Sequence, residues 1–122
     1  APFEIGKAQK LMSGDDVTII ATGYMVWEAV KAALTLKDQG INADVINMHT
    51  IKPLDAAAII ESATRTGKVV TAEEHQRLGG LGGSVAQVLA ENIPTPMRMV
   101  AVQDSFGESG TPTQLMEKYG LT

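Results

Sequence analysis

The residues most able to do chemistry fall in one short stretch. Glu73, Glu74 and His75 close an apolar run, and Gly79, Gly80, Gly82 and Gly83 follow at once. A histidine flanked by carboxylates can take or give a proton near neutral pH. A glycine-dense segment opening a helix can present backbone N–H groups to a phosphate. The spacing argues against that second use. A dinucleotide loop of the form G-x-G-x-x-G needs a third glycine where Val85 stands after Gly80 and Gly82, and no phosphate loop of the form G-x-x-x-x-G-K-[ST] occurs. The stronger reading is structural. The glycines allow close helix–sheet packing, while the carboxylates and His75 satisfy neighbouring chain or a partner subunit.

The remaining candidates are thinner. Asp104, Ser105 and Ser109 lie among glycines, yet neither serine sits in the G-x-S-x-G elbow of a hydrolase. His49 follows an apolar strand and has no second histidine at ligand spacing; the chain has only two. Cysteine is absent, which excludes disulfides, cysteine-held metals and a thiol nucleophile and fits a cytosolic setting. A net charge of −4 gives no footprint for nucleic acid or anionic lipid. No apolar run is long enough to span a bilayer, and the first residues do not form a signal peptide. The expectation is no catalytic, cofactor or metal residue in this chain, and no nucleic-acid or membrane partner.

The elements that must hold these loops are legible by period. Val17 to Thr22, Ala43 to Met48, Lys68 to Glu73 and Met97 to Val102 read as buried strands of a parallel sheet. Val26, Ala29, Val30, Ala33 and Leu34 form one stripe of a helix that Gly40 stops. Asp55 is placed to cap a helix over Ala56 to Thr64 that Gly67 stops, and Ser84 to cap another carrying Val85, Val88 and Leu89. Thr111 and Pro112 start a last short helix through Leu115, Met116 and Tyr119. Strands alternating with helices imply right-handed crossovers and a sheet covered on both faces. One domain over residues 1–122 follows, with residues 1–13 as an arm or edge strand. In such a sheet ligands bind outside the carboxyl ends of the strands, so the loops near Gly23, His49, Glu73 to Gly83, and Asp104 to Gly110 are the places to look.

Four stretches, taken together, resemble the carboxy-terminal domain of transketolases. They are Asp15 to Gly23, Thr50 to Asp55, Val70 to His75 with Gly79 to Gly82, and Asp104 to Gly110 with Tyr119 to Thr122. Deoxyxylulose-phosphate synthase and the beta subunits of two-oxoacid dehydrogenases are similar, but the Glu-Glu-His and Phe-Gly-Glu-Ser-Gly motifs look closer to split bacterial and archaeal transketolases. The resemblance implies a three-layer α/β/α fold with a mostly parallel five-stranded sheet. Its first strand, near residues 7–12, would be antiparallel. It implies a thiamine diphosphate- and Mg2+-dependent ketol transfer between sugar phosphates, in the pentose phosphate pathway, by the complete enzyme. The cofactor and catalysis would belong to the pyrimidine-binding and diphosphate-binding domains, on the same chain or a separate subunit of a homodimer or heterotetramer. This part would dock, and would be inactive alone. Glu73, Glu74, His75, Gly79, Gly80, Gly82, Gly83, Asp104 and Ser109 are then candidate interface or cleft residues. Two alternatives stay open: a freestanding phosphate or nucleotide binder using residues 79–83, and a docking module of a thiamine-dependent dehydrogenase or synthase.

Overall fold

A computed structural model describes residues 7–23, 25–49, 54–74 and 80–102. Five strands and three helices alternate among them: β1 (Gln9–Met12), β2 (Val17–Ala21), α1 (Met25–Asp38), β3 (Ala43–Asn47), α2 (Ala56–Thr66), β4 (Val69–Glu74), α3 (Gly80–Asn92) and β5 (Met97–Val102). The sheet order is β1-β3-β2-β4-β5, with β1 antiparallel to β3 and all other pairs parallel. The mixed five-stranded sheet is therefore as the resemblance implied. The expected final helix and the loop bearing Asp104 and Ser109 lie outside the described residues, as do His75 and Gly79.

Strand alternation decides the two cores. Val17, Ile19, Ala21, Ala43, Val45, Val70 and Ala72 turn to the face that α1 covers with Met25, Ala29, Ala33 and Leu36. Ile20, Ile46, Met48 and Val69 turn to the other face and meet Ile59 and Ala63 of α2 and Leu81, Val85 and Leu89 of α3. Each large apolar side chain, fully buried, contributes on the order of 1.5–3 kcal/mol.

Two sequence expectations need correction. The buried stripe of α1 is Met25, Ala29, Ala32, Ala33 and Leu36, not one ending in Leu34, which is 51% exposed. The two stripes share Ala29 and Ala33, and periodicity alone could not choose between their apolar flanks; docking beneath β2, β3 and β4 did. Ser84 is no cap either. It sits inside α3, which begins four residues earlier at Gly80, because its first amides find a partner on a neighbouring strand.

The amino ends of β2 and β3 carry a polar layer inside the fold. Asp44 is fully buried and accepts from Ser62 Oγ at 2.6 Å, Arg65 Nη2 at 3.0 Å and the Gly14 N–H at 3.1 Å. Lys10 Nζ lies 3.3 Å away, which ties edge strand β1 to the group. Thr18 Oγ1 bridges Ser62 at 2.6 Å and Thr66 at 2.7 Å. Burial alone would push the Asp44 carboxyl up. The hydrogen bonds from Ser62, Gly14 and Arg65, with the Lys10 charge, outweigh it and hold the carboxyl below its usual range.

Thr71 on β4 has no such partner: its Oγ1 is buried without a hydrogen bond among the described residues. An unmet buried hydroxyl costs about 1–3 kcal/mol. Thr71→Val keeps the branched shape and removes the hydroxyl. We expect it to stabilise the fold by about 1 kcal/mol, seen as a melting temperature higher by roughly 4 °C.

Candidate functional site

The parallel strands run β3-β2-β4-β5, the same order as the flavodoxin-like arrangement. The chain leaves β2 toward one face of the sheet and leaves β4 toward the other, so the crevice of this topology opens at the carboxyl ends of β2 and β4. Gly23 turns the chain out of β2 with φ of 59°, a left-handed geometry that glycine adopts without steric cost. Glu74 ends β4, and its Oε1 stands 3.1 Å from where a β-carbon on Gly23 would be. The crevice mouth is thus closed down by a glycine on one wall and a carboxylate on the other.

Glu73 points to the opposite face and is 2% exposed. Its Oε1 accepts the Leu81 N–H at 2.9 Å and its Oε2 accepts the Gly82 N–H at 3.1 Å. A helix start leaves its first amides without intrahelical partners and carries partial positive charge. Here one carboxylate from the end of β4 answers both needs, and this is the partner that lets α3 begin at Gly80. Gly82 must stay small for that approach, since an added β-carbon would meet the Met99 side chain and lie 3.1 Å from Glu73 Oε2.

The sequence candidates are therefore only partly brought together. Glu73, Gly80 and Gly82 form one unit, with Glu74 and Gly23 beside it on the other wall. Gly83 is exposed with open space around it. His49 is half-buried just past β3, where the preceding Met48 N–H donates to the Ala21 carbonyl at 2.9 Å. For a phosphate the consequence is plain. Two amides that would hold it already serve Glu73, and the anion would meet a carboxylate.

One contributor escaped sequence reasoning. Asp55 caps α2 as expected, with Oδ1 accepting the Ala58 N–H at 3.2 Å, but its Oδ2 also accepts the Ala8 N–H at 2.8 Å. Because β1 is antiparallel, Gln9 lies opposite Asn47 at the carboxyl end of β3. The chain thus enters the sheet on the same edge as the crevice, pinned there by Asp55. The signal was in the topology rather than in any residue type.

Comparison with known proteins gives this geometry a context. Residues 6–122 match the family described as transketolase, C-terminal domain. The chain is 54% identical over 120 residues to a 6-deoxy-6-sulfo-D-fructose transketolase subunit of Clostridium sp. (strain MSTE9), covering 98% of this chain and 37% of that protein. It is 44% identical over 119 residues to an apulose-4-phosphate transketolase subunit of Phocaeicola vulgatus, covering 98% of this chain and 38% of the relative. Among solved structures, a split gene transketolase described as an inactive beta4 tetramer superposes with a TM-score of 0.80 at 51% identity. That match covers all of this chain and 40% of the other. The chain spans well under half the length of these relatives. By sequence over nearly its whole length, and by fold, it belongs to the family of transketolase C-terminal domains.

Proposed function

We propose that this chain is the carboxy-terminal domain of one subunit of a split transketolase, and that its carboxyl edge docks the rest of the enzyme. The observation that carries the reading is the self-capped crevice. Glu73 consumes the amides that a small anion would need, Glu74 and Gly23 narrow the mouth, and the chain enters β1 at the same end of the sheet, held by the Ala8 to Asp55 bond. A surface whose polar groups are already satisfied suits contact with a protein better than capture of a metabolite.

Thiamine diphosphate and its magnesium ion, which the family implies for the complete enzyme, do not fit the residues present here. No three of the histidine, aspartate or glutamate side chains cluster at metal-binding distance among the described residues. The donors at the start of α3 are engaged by a carboxylate. The reaction we assign to the whole enzyme is transfer of a two-carbon ketol unit between sugars, with a complementary subunit completing the assembly. Relatives about half identical to this chain carry the names of different sugars, a sulfo-sugar and apulose 4-phosphate. That variety supports placing substrate choice outside this domain and its contribution in docking.

The reading is tested by reconstitution. The chain alone should turn over no sugar phosphate, and mixing it with the separately produced remainder of its subunit and the complementary subunit should restore ketol transfer. Turnover by the purified 122-residue chain would overturn it.

A further inference from the structure

The methionines of the described residues are not alike. Met25 and Met48 are buried, at 4% and 1% exposure, and Met12 and Met97 are half-buried, while Met99 on β5 is 47% exposed. A thioether that meets solvent is open to oxidation, and the sulfoxide turns a flexible apolar side chain into a polar one. Met99 also borders the carboxylate-held start of α3. A β-carbon added to Gly82 would overlap Met99 Sδ and would lie 2.8 Å from Met99 Cγ and 3.1 Å from Glu73 Oε2. The thioether therefore fills the space that Gly82 leaves, beside the carboxylate oxygen that accepts the Gly82 N–H at 3.1 Å. A thioether sulfur is a weak acceptor and hardly competes for that amide. An oxygen on the sulfur would.

A donor for such an oxygen stands on the next strand. Thr71 of β4 is in register with Met99 of β5, so both side chains turn to the α3 face of the sheet. Thr71 is wholly buried, and its Oγ1 has no hydrogen-bond partner among the described residues. A bond from this hydroxyl would keep an oxidised side chain inside instead of letting it swing out to water. We propose that Met99 is a peroxide-sensitive oxidation site whose sulfoxide, held by the Thr71 hydroxyl, loosens the start of α3. In the step, a lone pair of Sδ attacks one oxygen of hydrogen peroxide and the O–O bond breaks. Sulfur gives up two electrons and keeps that oxygen. Its proton passes to the other oxygen, which leaves as water. The new S–O dipole sets negative charge beside the Glu73 carboxylate, and the repulsion weakens the hold of Glu73 on the Leu81 and Gly82 amides. The site needs no partner protein and stands apart from the docking reading.

Oxidation of the chain in dilute hydrogen peroxide tests it. Residue-resolved mass spectrometry should find Met99 oxidised at least about tenfold faster than Met25 and Met48. In the oxidised chain the Leu81 and Gly82 amides should exchange about fivefold faster or more, the loss of roughly one hydrogen bond. A methionine sulfoxide reductase with a thiol reductant should restore the slow exchange. Met99→Leu keeps the bulk and removes the sulfur, so peroxide should leave exchange at both amides unchanged. Thr71→Val removes the donor, so most of the acceleration should disappear although Met99 still oxidises. Several results would each overturn the proposal: Met25 or Met48 oxidised as fast as Met99, a Met99 sulfoxide with unchanged exchange at Leu81 and Gly82, the same acceleration in peroxide-treated Met99→Leu, or full acceleration in Thr71→Val.

Discussion

Asp44→Ala will cost the fold about 3 kcal/mol, the largest loss expected from any one side chain discussed above. Asp44 is wholly buried, and its removal takes the acceptor from the Gly14 N–H and from one side of the Arg65 guanidinium, and leaves the Ser62 hydroxyl with Thr18 alone. Breaking a buried pair typically costs about 3–5 kcal/mol because the surviving charge is left unanswered. The lower end applies here. Arg65 is 29% exposed and keeps Glu61 and Asp15 as partners, and Lys10 is 40% exposed, so both cations retain water. Urea denaturation measures the loss directly. The pH dependence gives it a signature. The folded carboxyl titrates below its ordinary value, so the unfolded chain binds more protons in that range and stability falls as pH drops. The contribution is complete above about pH 4, the ordinary aspartate range, and is lost as pH falls through the lower folded value. Removing Asp44 should flatten that part of the acid profile.

Glu73→Ala is expected to cost about 2–3 kcal/mol, from two amides left unpaired inside the fold and a lost helix cap. Leu81 and Gly82 both lose their acceptor. Glu73→Gln is the sharper variant. It keeps the shape but turns an N–H donor toward one of the two amides, so a loss of about 1–2 kcal/mol should remain. Hydrogen exchange localises the effect: the Leu81 and Gly82 amides should exchange at least about tenfold faster in either variant. Unchanged exchange at both positions would mean that α3 does not depend on this carboxylate.

These two side chains also mark how far the sequence could be read. The strands were legible because both faces of β2, β3 and β4 are buried and their residues are apolar and often β-branched. Asp55 and Gly67 bracket α2 as the cap rules require, with the Gly67 N–H returning to the Ala63 carbonyl at 2.8 Å. Asp44 was a missed signal. A carboxylate inside a buried strand needs partners, and Ser62 and Arg65, three residues apart on α2, supply them. The start of α3 was not legible at all. Its cap comes from Glu73 on another element, eight residues before Leu81, and local cap rules look only at adjoining residues. Leu34 was misplaced for a related reason. An apolar helix position tells that it prefers cover, and the fold decides which positions the sheet covers.

The crevice was foreseen as a place and not as a state. Parallel-sheet topology pointed to the carboxyl ends of the strands, and Glu73, Glu74, Gly80 and Gly82 are there. Which amides were already spent could only come from the distances.

Hydrogen exchange of the chain, alone and bound to the remainder of its subunit, tests the docking edge most directly. Added protection should concentrate at Gly23, Met48, His49, Glu74 and the first turn of α3, and leave the opposite edge around Gly14, Asp16 and Lys68 unchanged. Protection confined to that opposite edge, with the crevice residues unaffected, would contradict it.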